Sequence, residues 1–311
     1  MDNLTHSLVG WALAETGLKR RTRKGLAACV LAANMPDIDV FFGWAPWAPL
    51  AMHRGFTHGL VGGVLLMPPL LAGLLWLLDR WQLRRGVTFA SGLPMRLGWL
   101  IACCYLGALT HPLLDLQNTY AVQLMAPASE HWFHTDGLFI VSPYVLAMLG
   151  AGIWLARKRR AGMPAIAALG GLIAFVGLNV AISAMAWRAA GRETPSAVPN
   201  RVFAAPRPLA FWQRQVAWRQ DGVIGVGTFD PLRNAAELAN TQRVEDGMSD
   251  PLARAASVAT PEVRKFLAWS QLPVATVQRR GCTAQVTFND ARFSARAVSS
   301  SFTVSASVPA C

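Results

Sequence analysis

Three long runs of this 311-residue chain carry no charged side chain: residues 59–78, 137–156 and 161–187. A fourth, 97–114, is interrupted only by His111. About 20 apolar residues, each rising about 1.5 Å along a helix, cross the roughly 30 Å of a bilayer's hydrocarbon, so each run reads as a membrane helix. Residues 25–42 make a fifth span, polar in its last third through Asn34, Asp37 and Asp39. Residues 4–18 are apolar but short for a crossing. The runs are continuously apolar and not alternating, which predicts helices and excludes a barrel. The expected fold is mainly α, an integral membrane bundle of about six helices.

Charge orients that bundle. Residues 1–187 hold 14 Lys or Arg, and 13 of them fall in the runs 19–24, 80–96 and 157–160. In a six-segment arrangement these are alternate loops, and the positive-inside rule puts them in the cytoplasm. The intervening loops carry Asp2, Asp37, Asp39, Glu130 and Asp136, with Arg54 the one cation outside the basic runs. They are expected on the periplasmic side of a bacterial inner membrane. The net charge of +12 is explained by this segregation, and no nucleic-acid partner is expected.

Composition divides the chain further. Residues 1–187 form the membrane-embedded domain, the Arg-, Pro- and Ala-rich stretch 188–208 reads as a linker, and 209–311 as a soluble extracytoplasmic α+β domain. Alternating patterns at 211–218, 223–229, 284–288 and 302–308 predict strands, and 232–240 and 261–272 read as helices. Cys29, Cys103 and Cys104 lie in apolar spans, while Cys282 and Cys311 share the outer compartment, where a disulfide is compatible with the chemistry.

The six histidines all fall within the first 134 residues. Four of them, with nearby aspartates, form polar islands in apolar sequence: His6; Asp37 and Asp39 with His53 and His58; and His111 with Asp115. Imidazoles and carboxylates are ligands for Zn²⁺ and related divalent ions, and ionisable groups at membrane depth are costly unless they converge on a function. His111 and Asp115 are four apart and share a helix face. Arg54 offers a planar fork for anionic oxygens, and Thr57 a partner for a neighbouring ligand. Asp136, just before the uncharged run 137–156, joins the candidate ligands. Glu130, His131 and His134 read as interfacial groups beside Trp132 and Phe133.

Thr5-His6-x-x-x-Gly10, Pro36-Asp37-x-Asp39, His53-Arg54-Gly55-x-Thr57-His58, His111-x-x-x-Asp115 and the Asp136-to-Pro143 segment together resemble the YdjM-type, LexA-associated inner-membrane metal-dependent hydrolases. The resemblance runs from Met1 to about Pro143, with Ser142 where an acidic residue is common, and implies a distant similarity to zinc-dependent phospholipases C. The expected ligands are His6, Asp37, Asp39, His53, His58, His111, Asp115 and Asp136, holding one or two divalent ions, Zn²⁺ ahead of Mn²⁺ or Mg²⁺. Arg54 and Asp39 are the expected catalytic groups, acting on a phosphoester or lipid-linked substrate at the outer face of the membrane. A divalent-cation transporter and a non-catalytic scaffold are the rival readings.

Overall fold

A computed structural model describes residues 1–44, 52–193, 201–293 and 302–311. The chain divides into two compact units, Met1–Val180 and Ala181–Cys311.

The first unit is helical. Helices α1 (Asn3–Glu15), α2 (Gly25–Asn34), α3 (Met67–Arg84), α4 (Leu97–Asp115), α5 (Pro143–Arg159) and α6 (Met163–Arg192) follow in order, with α6 running on into the second unit. A π-helical segment, Leu60–Leu66, leads into α3, and a 3-10 segment, Met35–Phe41, follows α2. Among the described residues three helices are long and apolar enough to cross a membrane: Leu60–Arg84, Leu97–Asp115 and Met163–Arg192. At 10 residues, α2 is far shorter than the span expected over 25–42. Pro36 and the two aspartates take the chain out of α-helix, because proline supplies no N–H and the carboxylates need partners.

Helix α2 is gripped from two sides. A Cβ on Gly10 of α1 would lie 2.6 Å from the Cys29 carbonyl oxygen, and one on Gly107 of α4 would lie 2.5 Å from the same atom. Only glycine lets both helices reach this backbone. The apolar core around Cys29, Ala32, Leu71, Leu100, Cys103 and Ala108 forms behind that contact.

The basic loops meet at one end of the unit. Arg20 donates to the Arg160 carbonyl at 3.1 Å, Lys24 to Gln82 Oε1 at 2.5 Å, and the Arg96 amide to Thr22 Oγ1 at 2.9 Å. The aspartate and histidine motifs lie at the opposite helix ends.

The second unit holds two antiparallel sheets. One, β1-β2-β3-β4, comprises Arg201–Pro206, Arg214–Gln220, Val223–Asp230 and Asn234–Glu245; the other, β5-β6-β7, comprises Pro273–Arg280, Thr283–Asp290 and Thr303–Pro309. The end of α6 packs on the first sheet through Ile182, Ala186, Ala189 and Ala190 against Val216, Trp218 and Phe229. Short helices α7 (Pro251–Ser257) and α8 (Pro261–Trp269) cover the second sheet. Cys282 and Cys311 form a disulfide.

Two expectations are corrected. The stretch 188–208 is not simply a linker: α6 continues to Arg192 and β1 begins at Arg201, while 194–200 lies outside the described residues. Residues 232–240 are not a helix but the turn and start of β4. Their helix-forming Ala, Glu and Leu lose to pairing with β3, from Val223↔Glu245 to Asp230↔Asn234, as tertiary pairing overrides weak local propensity.

Candidate metal centre

Asp2 caps α1, its Oδ1 accepting from the Thr5 amide at 3.0 Å and its Oδ2 from the Thr5 hydroxyl at 2.6 Å. That start places His6 in the first turn. Asp37 and Asp39 project from the 3-10 segment after α2, His53 to His58 precede the π-helical entry to α3, and His111 and Asp115 occupy the last turns of α4. Four elements thus bring distant parts of the sequence to one level.

The donors converge. Asp37, His58, His111 and Asp115 each offer one ligand atom, all within 4.8 Å of one another, and Asp39, His53 and His58 form an adjoining trio by the same measure. His58, His111, Asp39 and Asp115 are buried.

Hydrogen bonding fixes what each ring offers. His111 Nδ1 lies 2.7 Å from the Ala33 carbonyl, so it carries the proton and donates. Its Nε2 is then a lone pair, buried without a hydrogen-bond partner, 3.4 Å from Asp115 Oδ2 and 3.6 Å from Asp37 Oδ1. His58 repeats the pattern. Its Nδ1 lies 3.1 Å from both Asp39 Oδ2 and the Thr57 hydroxyl, while its Nε2 faces Asp37 Oδ1 at 3.2 Å and Asp115 Oδ2 at 3.3 Å. Two imidazole lone pairs aimed at two carboxylates repel one another unless a cation lies between them. The residues present therefore fit a divalent ion with mixed nitrogen and oxygen ligands.

Asp39 stands one layer behind. It accepts from His53 Nδ1 at 2.9 Å, the Arg54 amide at 3.0 Å and the Thr57 hydroxyl at 2.8 Å. A carboxylate behind a ligating histidine fixes its tautomer and orientation. Since a neutral imidazole has one lone pair, His58 serves the four-residue group or the trio, not both at once.

Both aspartates of the 3-10 segment lie outside the three candidate crossings. Burial pushes the Asp39 carboxyl up, but hydrogen bonds from His53 and His58 outweigh it and hold it well below the usual range.

Arg54 is the cation of the site. It is 3% exposed and adopts a left-handed backbone at φ 63°. Its guanidinium lies 4.6 Å over the Tyr120 ring, with Nη2 3.4 Å from Asp115 Oδ1. The Gln123 amide donates to its carbonyl at 2.9 Å. The Met1 ammonium also pairs with Asp115.

His6 stacks on His111 at 3.9 Å between centroids, its Nε2 3.5 Å from Asp115 Oδ1, beside the four-residue group and not within it. Asp136 is in neither group; its carboxylate faces His134 at 3.2 Å. Tyr120 gave no signal in the sequence, since its role depends on a fold-back after α4 that places it against both Arg54 and His53, the latter at 5.8 Å.

A family comparison matches residues 1–189, the portion that carries every motif of the centre, to the YdjM inner membrane protein family. The chain belongs to that family. Curated proteins and solved structures give no match. The YdjM region covers all of unit one, ends within α6, and leaves both sheets outside it.

Proposed function

We propose that this YdjM-family chain is a membrane-bound, metal-dependent hydrolase acting on a phosphoester or lipid-linked substrate at the outer face of the inner membrane. The observation that carries this reading is a buried guanidinium beside a buried His/Asp donor group. Asp37, His58, His111 and Asp115 would hold one ion, Zn²⁺ by the nitrogen share of the set. When bound, such an ion supplies Lewis-acid charge that acidifies water and polarises the bond to be cleaved. Asp39 holds His58 in register and fixes the proton on Nδ1. Arg54, braced by Tyr120, binds anionic substrate oxygens and stabilises charge developing on them. A cation carrier has little use for a fixed guanidinium beside its cation, whereas a hydrolase of anionic substrates does.

The basic loops gathered at the end away from the centre support that orientation, since the positive-inside rule favours the cytoplasm for them. The test is metal content and phosphoester hydrolysis on the purified full chain. Stoichiometric metal with hydrolysis that chelation abolishes and metal restores supports the reading. Stoichiometric metal without hydrolysis, together with metal flux in vesicles, replaces it with a transporter.

A further inference from the structure

The first sheet of the second unit has two turns at the same end. The register pairs Pro206 with Arg214 in β1 and β2, and Asp230 with Asn234 in β3 and β4, so the β1–β2 and β3–β4 connections lie side by side. Each tip presents a leucine to solvent: Leu209 is 73% exposed and Leu232 77%. Between the tips lies an open cavity of about 320 Å³ whose lining includes Arg207, Arg214 and Arg233, with Asp230 and Glu237.

The arginines differ in burial. Arg214 is fully buried, its Nε donating to the Ser183 hydroxyl at 2.9 Å and its Nη1 to the Phe211 carbonyl and, at 3.1 Å, to that of Gln213. Arg207 and Arg233 are exposed at the rim. The two acids have partners: Asp230 accepts from Gln213 at 2.9 Å and faces Arg233 at 3.8 Å, and Glu237 accepts from Asn234 at 3.1 Å.

Ser183 sets the depth. It lies on α6, a candidate crossing that starts at Met163, and about 20 helical residues span the hydrocarbon. A crossing that begins at Met163 would end near Ser183, to which Arg214 is tied. Exposed leucines with arginines behind them are the composition of an interfacial anchor: apolar tips enter the acyl boundary, and guanidinium forks take phosphate.

We propose that this end of the sheet is a docking site for anionic phospholipid headgroups, with the lipid phosphate held at the arginine-lined cavity and Leu209 and Leu232 inserted beside it. The site is independent of the metal centre and uses none of its residues.

The test is amide hydrogen exchange on the full chain in nanodiscs of phosphatidylcholine alone or mixed with phosphatidylglycerol. Amides of 207–213 and 231–234 should exchange several-fold more slowly in the anionic discs, and raised salt should remove the difference. The double variant Arg207→Gln with Arg233→Gln should lose it as well. Both side chains are exposed, so the fold should survive, with unchanged protection in β2 and β3 as the control. Equal exchange in the two lipids, or a difference that persists in the double variant and in salt, overturns the proposal. Equal protection from millimolar inorganic phosphate in phosphatidylcholine discs overturns it too, in favour of a free-phosphate site.

Discussion

His58 and Asp39 face each other at 3.1 Å through Nδ1, while Nε2 of the same ring lies 3.3 Å from Asp115. One imidazole thus links an orienting carboxylate to a candidate ligand. Asp39→Asn keeps the shape but removes the charge that holds the Nδ1 proton. It should weaken metal binding by about 10- to 100-fold, the range for losing an outer partner of a ligating histidine. His58→Ala should cost far more. Competition with a chromophoric chelator measures both, and equal affinities for wild type and Asp39→Asn would remove Asp39 from this role.

Arg54 separates binding from turnover. Arg54→Ala should retain metal and lose roughly 10²-fold or more in phosphoester hydrolysis, as when one charge-stabilising group is deleted. Arg54→Lys should recover only part of it, because an ammonium cannot reproduce the bidentate fork or its stacking on Tyr120. Unchanged hydrolysis in Arg54→Ala would place the substrate elsewhere.

The centre was legible because its residue types are conspicuous in apolar sequence: His53, His58, His111, Asp37 and Asp115 need no neighbours to be noticed. Its layering was not. Asp39 and Asp37 are two residues apart and alike in sequence, yet one faces the donor group and the other lies behind it, a difference set by the 3-10 turn. Thr57 could be assigned as a supporting partner because it abuts His58. The Ala33 carbonyl that fixes His111 carries no side-chain signal at all. In the second unit, the 223–229 alternation marked β3 well, whereas β4 is an exposed edge whose polar residues match no strand pattern.

Gly107 tests the grip on α2. Gly107→Ala would force a methyl to within 2.5 Å of the Cys29 carbonyl oxygen, and overpacking of this kind costs about 1–3 kcal/mol. Helix α4 should shift, so metal affinity should fall together with thermal stability in detergent. Gly150→Ala on α5 is the control: its Cβ would meet nothing within 4 Å, and replacing a mid-helix glycine should be neutral or stabilising by up to about 1 kcal/mol. Equal behaviour of the two variants would show that the close approach is not maintained.

Asp290 gives the second unit a pH dependence. Burial raises its carboxyl, but Arg292, with Nη2 at 2.8 Å, and Ser270 at 2.7 Å outweigh it and lower the carboxyl below its usual range. A depressed folded value means that the stabilisation is complete above the unfolded value of about 3.9 and is lost as pH falls through the folded one. Asp290→Asn leaves Arg292 a buried cation without its counter-ion, at a cost of about 3–5 kcal/mol. Proteolytic susceptibility of β6 in the full chain should therefore differ between wild type and variant from neutral pH to about pH 4, and converge below. A difference that grows on acidification would reverse the sign and refute the assignment.

Orientation is the remaining prediction, and the structure sharpens it. The contacts of Arg20 with Arg160, Lys24 with Gln82 and Arg96 with Thr22 bind all three basic loops to one end, so all three are expected to label from the same side of the membrane. The native thiols will not interfere, since Cys29, Cys103 and Cys104 are buried and Cys282 is bonded to Cys311. A cysteine in place of the exposed Ala128 should react with a membrane-impermeant thiol reagent in spheroplasts, and so should one at exposed positions of the second unit. Cysteines replacing Arg84 or Arg159 should react only after permeabilisation. Labelling of Arg84→Cys in intact spheroplasts, with Ala128→Cys protected, would turn the chain over and place the metal centre, with its substrate, on the cytoplasmic side.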